Sequence, residues 1–137
     1  MPPSLPSAPF TDWLGTELVS TSPGRVVLRQ PQRPELANRR GAVHGGVLAT
    51  LVDSAMARAA RAVEGVAELG GTIDLHLHFM APGTTALQVT GWVEHASRNL
   101  AFCRAEVHDE AGALVATGTA SLRLYREAGA QAVPIIS

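Results

Sequence analysis

The sequence of 137 residues predicts one α+β domain, in which a long helix packs against an antiparallel sheet of about five to six strands. Three observations predict it. A proline-free stretch from about Gly45 to Glu64 is rich in the helix formers Ala, Leu, Met and Arg. Further along, apolar and polar residues alternate with a period of two, which is typical of half-buried strands. The links between those segments are too short for the crossover that parallel neighbours need.

The part of the chain before the helix predicts little regular structure. Four of the first ten residues are Pro and no basic segment precedes an apolar run, so a flexible or extended arm is expected rather than a signal peptide. Two short strands and a turn follow, and then a polar loop punctuated by Pro. The predicted ranges are 1–10 for the arm, 13–21 and 25–30 for the strands, 22–24 for the turn and 30–43 for the loop.

The part after the helix predicts four strands. In "TIDLHLHFM", residues 72–80, Ile73, Leu75, Leu77 and Phe79 alternate with Asp74, His76, His78 and Met80. "APGTT" turns the chain, and "DEAG" at 109–112, with Asp109 in a structural role, forms a tight hairpin turn. The other three strands are predicted within 86–97, 99–109 and 113–125. The domain therefore spans 11–126, and 127–137 forms a C-terminal tail.

One face of the predicted helix is apolar and a strip of small residues runs beside it. At about 100° per residue, the apolar face consists of Leu48, Leu51, Val52, Ala55, Met56, Ala59 and Val63, and the strip of Gly46, Ala49, Asp53, Ala57 and Ala60. Small side chains let another backbone approach, so we expect the sheet to wrap the helix. Asp53 then borders a space that the helix does not fill, where an ionised carboxylate is costly unless it is hydrogen-bonded or reaches water.

The start of the helix adds a second chemical feature. In "VHGG", residues 43–46, a His and two glycines precede the helix, where free N–H groups and the positive end of the helix dipole attract negative charge. Glycine also lets a substrate carbonyl approach these N–H groups closely. An oxyanion site with a carboxylate nine residues after His44 is a combination that suits acyl transfer.

These residues resemble a known family. "NRRGAVHGGVLATLVDSAMA", "GGTIDLHLHFMAPG" and "EVHDEAGALVATGTASLRL" are similar to the hotdog-fold acyl-CoA thioesterases, in particular the branch typified by the phenylacetic-acid-degradation protein PaaI. The resemblance spans roughly residues 36–125. It implies a hotdog fold, hydrolysis of an acyl- or aryl-acyl-CoA to the free acid and coenzyme A, and no cofactor other than the coenzyme A of the substrate.

The resemblance also implies roles for individual residues. Asp53 matches the catalytic carboxylate, which acts as a nucleophile or as a general base toward water, and the N–H of Gly45 matches the group that polarises the thioester carbonyl. Asn38 places the water or thioester, His44 orients the loop or the substrate, and Thr72 holds the water. Asn38, His44 and Gly45 of one subunit face Asp53 and Thr72 of the other, so a homodimer or homotetramer is implied.

Further residues are candidate contacts of the substrate. Gly46 and Ser54 adjoin the residues above, and two pairs could reach the phosphates of coenzyme A, namely Arg39 with Arg40 and Arg98 with Asn99. Solvated surface arginines are the alternative for both pairs. Some aryl-CoA relatives have Glu at the position of Asp53 and Thr at that of Ala57, so the chain departs from their pattern.

Composition excludes several classes of function. The net charge of −1 offers no electrostatic footprint for nucleic acid or an acidic membrane, and no apolar stretch is long enough to span a bilayer. The single Cys103 cannot form an internal disulfide, which fits the cytoplasm. Asp74, His76 and His78 could seed a metal site, but no further ligand is visible and a polar sheet face or subunit contact is favoured, so no metal is expected. Cys103, Trp13 and Trp92 are interpreted as structural, the two Trp as core or interface anchors.

Two other functions remain open on the sequence. A hotdog-type hydratase or dehydratase of acyl thioesters pairs a His with a carboxylate, which His44 and Asp53 could imitate. A non-catalytic acyl-CoA-binding module would keep the fold without turnover. Such a module has no need for a desolvated carboxylate, which favours the thioesterase.

Overall fold

A computed structural model describes residues 8–128 of the chain and confirms the predicted α+β class. Along the chain, a short helix, α1, comes first and is followed by two strands. The long helix α2 and four longer strands come after them. The elements are α1 Pro9–Leu14, β1 Glu17–Ser22, β2 Arg25–Gln30, α2 Gly45–Arg61, β3 Val66–Phe79, β4 Leu87–Ala96, β5 Leu100–His108 and β6 Leu114–Arg126, with a 3₁₀ turn at Pro34–Leu36.

All six strands form one antiparallel sheet in the order β1-β2-β4-β5-β6-β3. The strand that follows the helix, β3, pairs with the last strand, β6, and so lies at one edge of the sheet. Helix α2 packs against strands β2 to β6 and is wrapped by the sheet as expected. This is the hotdog arrangement, and it leaves the outer edge of β3 without a partner strand within residues 8–128.

The core lies between α2 and the sheet. All seven residues of the predicted apolar face of α2 are buried. Two glycines of the sheet allow the helix to approach. A Cβ on Gly91 would lie 2.6 Å from the backbone of Ala55, and one on Gly118 would lie 2.3 Å from Cγ1 of Val52. The helix therefore touches the sheet where the strands carry no side chain.

The strand predicted at 13–21 exists but begins later, because β1 starts at Glu17 whereas Trp13 and Leu14 belong to helix α1. Pro9 begins this helix with a φ that suits its first turn, and Gly15 ends it in the left-handed region at φ 77°. Residues 9–10 of the expected arm are thus helical, and residues 1–7 lie outside the described part. Trp13 is not a core residue, since it is 57% exposed with its ring stacked on Phe10.

Two other boundaries differ. Helix α2 ends at Arg61 rather than near Glu64, and Gly65, at φ 86°, takes the chain into β3. Strand β3 begins at Val66, six residues before the predicted start, because three irregularities in its pairing with β6 interrupt the alternation. The hairpin turn at 109–112 is confirmed, with Oδ1 of Asp109 accepting from the N–H of Ala113 at 2.8 Å. Within residues 8–128, no helix is long and apolar enough to cross a membrane.

Candidate active site

The N-terminus of α2 is capped by His44 and leaves one N–H group free. Nδ1 of His44 accepts from the N–H of Gly46 at 2.8 Å, so this nitrogen carries no proton. The N–H groups of Val47 and Leu48 both donate to the carbonyl of His44. The N–H of Gly45 has no acceptor within residues 8–128. It is the donor that an oxyanion would find at the positive end of the helix dipole.

Asn38 organises the loop that precedes this helix. Its Oδ1 accepts from the N–H of Arg40 at 2.9 Å and from the N–H of Ala42 at 3.1 Å. Two backbone donors fix the orientation of the amide, because only the oxygen can accept. The side-chain NH₂ of Asn38 is left without an acceptor in the described chain, so it can donate to a substrate or to water.

Asn38 and Gly45 line one open cavity of about 570 Å³. Most of the wall is apolar, and Arg40 contributes the only charged side chain from residues 8–128. The ring of Phe79 lies against Gly45, since a Cβ on that glycine would lie 3.4 Å from Cζ of Phe79. The remaining lining residues are Ala42, Val43, Leu48, Met80, Ala81, Pro82, Gly83 and Thr84.

Asp53 projects from the middle of α2 toward strand β3. Its Oδ1 accepts a hydrogen bond of 2.7 Å from the hydroxyl of Thr72, and the residue is only half-buried. The carboxylate therefore has one protein donor and remains within reach of water, which answers how a charged group is tolerated beside the core. Oδ2 of Asp53 and the lone pairs of the Thr72 hydroxyl are available to a third group.

A bulge in β3 is what brings Thr72 to Asp53. Thr72 is opposite the inward-facing Leu122, but Asp74 is opposite Ser121, so Ile73 is an extra residue between two paired positions. Without it, Thr72 and Asp74 would point to the same face of the sheet. With it, Thr72 faces α2 while Asp74 points outward and accepts from the N–H of Ser121 at 2.9 Å.

The other predicted contacts are scattered. Gly46 gives its N–H to His44, Ser54 accepts from Nε of Arg58 at 3.4 Å, and Arg39 is exposed on the loop of Asn38. Burial and the neighbouring Arg61 lower the pKa of Arg58, against the opposing effect of Asp12.

Arg98 and Asn99 lie at the opposite end of the helix. The carbonyl of Arg98 accepts from the side chain of Arg126, and the carbonyl of Asn99 accepts from the N–H of Leu124. Arg126 also donates to the carbonyl of Glu64, just beyond the C-terminus of α2. A helix of 17 residues is about 25 Å long. In one chain, this pair is therefore separated from Gly45 and Asn38 by the length of α2.

The candidate residues form two groups in a single chain. Asn38, His44 and Gly45 lie at the start of α2, whereas Asp53 and Thr72 lie near its middle. Gly45 and Asp53 are eight residues apart, or about 12 Å along the helix axis. Phe79 joins the first group, although its place in the sequence predicted only an alternating strand residue. Its inward position, in step with Leu75 and Leu77, is the sequence feature that could have indicated this contact.

Cys103 and the row of Asp74, His76 and His78 are the remaining candidates for chemistry. Cys103 is fully buried, and burial raises the pKa of its thiol to about 12, so it is not a nucleophile at neutral pH. Within residues 8–128 of one chain, no three His, Cys, Asp or Glu side chains are grouped as metal ligands. Trp92 is half-buried on the outer face of the sheet and donates to Glu94 at 3.1 Å.

Comparison with known proteins identifies the family. The model of the thioesterase superfamily matches residues 40–116. Human acyl-coenzyme A thioesterase 13 is 33% identical over 104 residues, which cover 74% of each chain. A thioesterase family protein from Silicibacter pomeroyi is 27% identical, with a TM-score of 0.81 over 88% of this chain and 91% of that one.

The fold also matches that of PaaI from the phenylacetic acid degradation operon of E. coli. Its structure superposes with a TM-score of 0.78 over 93% of this chain and 87% of that one, at 22% identity, which bears on the fold alone. The family model, the sequence relatives and the fold all indicate the same superfamily. The chain therefore belongs to the thioesterase superfamily and has the hotdog fold of its PaaI-like members.

Proposed function

We propose that the chain hydrolyses acyl-CoA thioesters to the free acid and coenzyme A, with Asp53 as the catalytic base. The observation that carries the proposal is the hydrogen bond of 2.7 Å from Thr72 to Asp53. It holds one carboxylate oxygen in place and leaves the other free for a water molecule. The relatives named as acyl-coenzyme A thioesterases support this class of substrate.

The reaction needs a second group that Asp53 cannot reach in its own chain. A thioester carbonyl must lie about 3 Å from both the attacking atom and the oxyanion donor. Gly45 and Asp53 of one chain are about 12 Å apart along α2, which is too far for one carbonyl to contact both. We therefore infer that each site combines Asn38, His44 and Gly45 of one subunit with Asp53 and Thr72 of another.

Strand β3 offers the surface for such a homodimer. It is a strand of 14 residues at the edge of the sheet, and long free edges pair readily with another strand. Ile73 and Phe79 of β3 and Met80, which follows it, are 58%, 59% and 58% exposed along this edge. Pairing two β3 strands would cover all three and bring the two halves of each site together. Further association to a tetramer is compatible with this arrangement.

The proposed mechanism uses only these groups. Oδ2 of Asp53 takes a proton from a water molecule that the Thr72 hydroxyl helps to position, and the water oxygen attacks the thioester carbon. The N–H of Gly45 and the NH₂ of Asn38 donate to the oxygen of the tetrahedral intermediate, an effect worth about 3–4 kcal/mol for one well-aimed donor. The C–S bond then breaks, and the thiolate receives the proton from Asp53. Arg40, in the cavity wall, is proposed to attract a phosphate of coenzyme A.

The test measures thiol release from short-, medium- and long-chain acyl-CoA, phenylacetyl-CoA and hydroxybenzoyl-CoA. Wild type should release thiol from at least one substrate, and Asp53→Asn should lower kcat by about 10²–10⁴ while the fold is kept. Asp12→Asn, which neutralises an exposed helical carboxylate on α1, is the matched control and should behave as wild type.

Two outcomes would replace the proposal. Hydration of an enoyl-CoA without thiol release would identify the hydratase that His44 and Asp53 could imitate. Saturable binding of acyl-CoA without any turnover would identify a binding module. Equal thiol release by wild type and Asp53→Asn would remove Asp53 from the mechanism.

A further inference from the structure

We propose that two copies of the chain bind one divalent transition-metal ion on the outer face of the sheet, at the seam between their β3 strands, through Asp74, His76 and His78. The inference rests on the two-subunit site proposed above. It concerns residues that hydrolysis does not use, on the opposite face of the sheet from Asp53.

The three side chains point away from the core on the free edge of the sheet. Asp74, His76 and His78 are all exposed, and they are opposite Ser121, Thr119 and Thr117 of β6. Neither imidazole has a hydrogen-bond partner in residues 8–128, and Asp74 engages only Oδ1. Three side chains that could bind a metal therefore lie in a row. Their four imidazole nitrogens and Oδ2 of Asp74 make no hydrogen bond within residues 8–128.

A second copy would bring an identical row beside the first. In an antiparallel pair, residues directly opposite each other point to the same face of the sheet. Outward-facing residues of one β3 can then meet only outward-facing residues of the other. Asp74, His76 and His78 of one chain therefore face the same outward row of the other chain.

The proposed active site narrows the register. It requires Gly45, and with it the ring of Phe79, to lie beside Thr72 of the partner subunit. In antiparallel pairing, the two-fold axis passes near the midpoint of residues 72 and 79, which lies between Leu75 and His76. Because the bulge at Ile73 adds one residue on the Thr72 side, the pairing that keeps opposite residues on one face places His76 opposite His76 of the partner subunit, and Asp74 opposite His78 of the partner subunit. Opposite residues have Cβ atoms about 5 Å apart.

The ligand set suits a transition metal. Imidazole nitrogens with a carboxylate oxygen favour Zn²⁺, Ni²⁺, Co²⁺ or Cu²⁺ over Mg²⁺ or Ca²⁺. One chain alone groups too few ligands, whereas two chains offer four imidazoles and two carboxylates. The short hydroxyl side chains of Thr117 and Thr119 leave room beside the row, where a cavity of about 240 Å³ also contacts His78. The charges next to it, Arg104 and Glu106, are paired with Glu94 and His108.

The test titrates ZnCl₂ into untagged, chelator-treated protein by isothermal calorimetry at pH 7.5, with MgCl₂ as the contrasting cation. We expect one Zn²⁺ for every two chains and no heat with Mg²⁺. His76→Gln should weaken Zn²⁺ binding by about tenfold or more. His95→Gln, an exposed histidine on β4, is the matched control and should bind as wild type.

Light scattering and thiol release in EDTA are measured on the same samples. An active dimer that binds no Zn²⁺, or binds it equally well after His76→Gln, overturns the metal site and leaves the thioesterase intact. A dimer that binds one Zn²⁺ but releases no thiol contradicts the thioesterase alone. A monomer, or one Zn²⁺ per chain, overturns the shared site.

Discussion

The hydroxyl of Thr72 is the smallest feature on which the proposed chemistry depends. It donates to Oδ1 of Asp53 at 2.7 Å and fixes the direction of the carboxylate. Removing it with Thr72→Val keeps the shape of the side chain but frees the carboxylate to rotate. We expect kcat to fall by about 10- to 100-fold with little change in KM, because misplacement of a catalytic group is costly. Steady-state thiol release measures both constants.

Thr72→Ser provides the matched control, since it keeps the hydroxyl and removes only a methyl group. It should retain most of the wild-type kcat. If both variants lose the same activity, packing at this position matters rather than the hydrogen bond. If neither loses activity, Thr72 does not position Asp53.

Cys103 makes a residue-scale prediction about pH. Burial raises the pKa of its thiol to about 12, above the value in an unfolded chain. A neutral buried thiol stabilises the fold fully below the unfolded pKa, and this contribution is lost as the pH rises toward 12. The free energy of unfolding should thus decrease by up to about 1.4 kcal/mol per pH unit in the range between the two pKa values. Urea denaturation at pH 8, 9 and 10 measures it.

Cys103→Ala is the comparison, because it removes the titrating group and leaves a small side chain in the same place. Its stability should be lower than that of wild type at pH 8 but should depend less steeply on pH above 9. Parallel pH profiles for the two proteins would show that other groups cause the alkaline loss.

At the scale of secondary structure elements, the helix was predictable and the edge strand was predictable only in part. The apolar face of α2 follows from a regular period, so every residue placed on it is buried. In β3, strict alternation places Thr72 on the outer face with Asp74, His76 and His78. The bulge at Ile73 reverses this, and Ile, unlike Gly, is not a residue type that indicates a bulge. The resemblance, rather than the periodicity, indicated Thr72.

The N-terminal elements show a different limit. "PFTDWL" begins with Pro9 and is followed by Gly15, which are helix boundary signals, but only five residues lie between them. So short a segment gives no periodic pattern, and the predicted strand therefore began at residue 13 instead of Glu17. The fold class and the long elements thus follow from pattern, whereas the short helix and the bulges depend on tertiary contacts.

Contact between α2 and the sheet makes a prediction at this scale. In Gly118→Ala, the new Cβ would lie 2.3 Å from Cγ1 of Val52, so we expect the variant to lose about 1–3 kcal/mol of stability from overpacking. Adding Val52→Ala removes the obstructing methyl groups. The double variant should then be less destabilised than the sum of the two single variants in a urea double-mutant cycle.

Gly91→Ala is the contrast in the same sheet. Its new Cβ would meet the backbone carbonyl of Ala55 at 2.6 Å, which no side-chain truncation can relieve. Combining it with Val52→Ala should give additive losses. Additivity in the Gly118 cycle as well would mean that the helix shifts as a whole and Val52 is not the obstacle.

At the scale of the whole molecule, the two halves of the candidate site belong to the same helix and yet cannot meet. Gly45, with its free N–H, and Asp53 are held about 12 Å apart along the helix axis by the rise of α2. A second copy related by a two-fold axis solves this, because it reverses the direction of the helix. The exposed apolar side chains of β3 and the incomplete site therefore have one common explanation.

This explanation predicts complementation between two inactive chains. Asn38→Asp keeps the oxygen that holds the loop but replaces the NH₂ donor with an acceptor, and should lower kcat by about 10²–10³. Asp53→Asn disables the other half. In a heterodimer of these chains, one site receives both lesions and the other none. Heterodimers isolated with two different affinity tags should therefore recover about half of the wild-type thiol release per dimer. If each site lay within one chain, every site would carry a lesion, and the heterodimer would be as inactive as either parent.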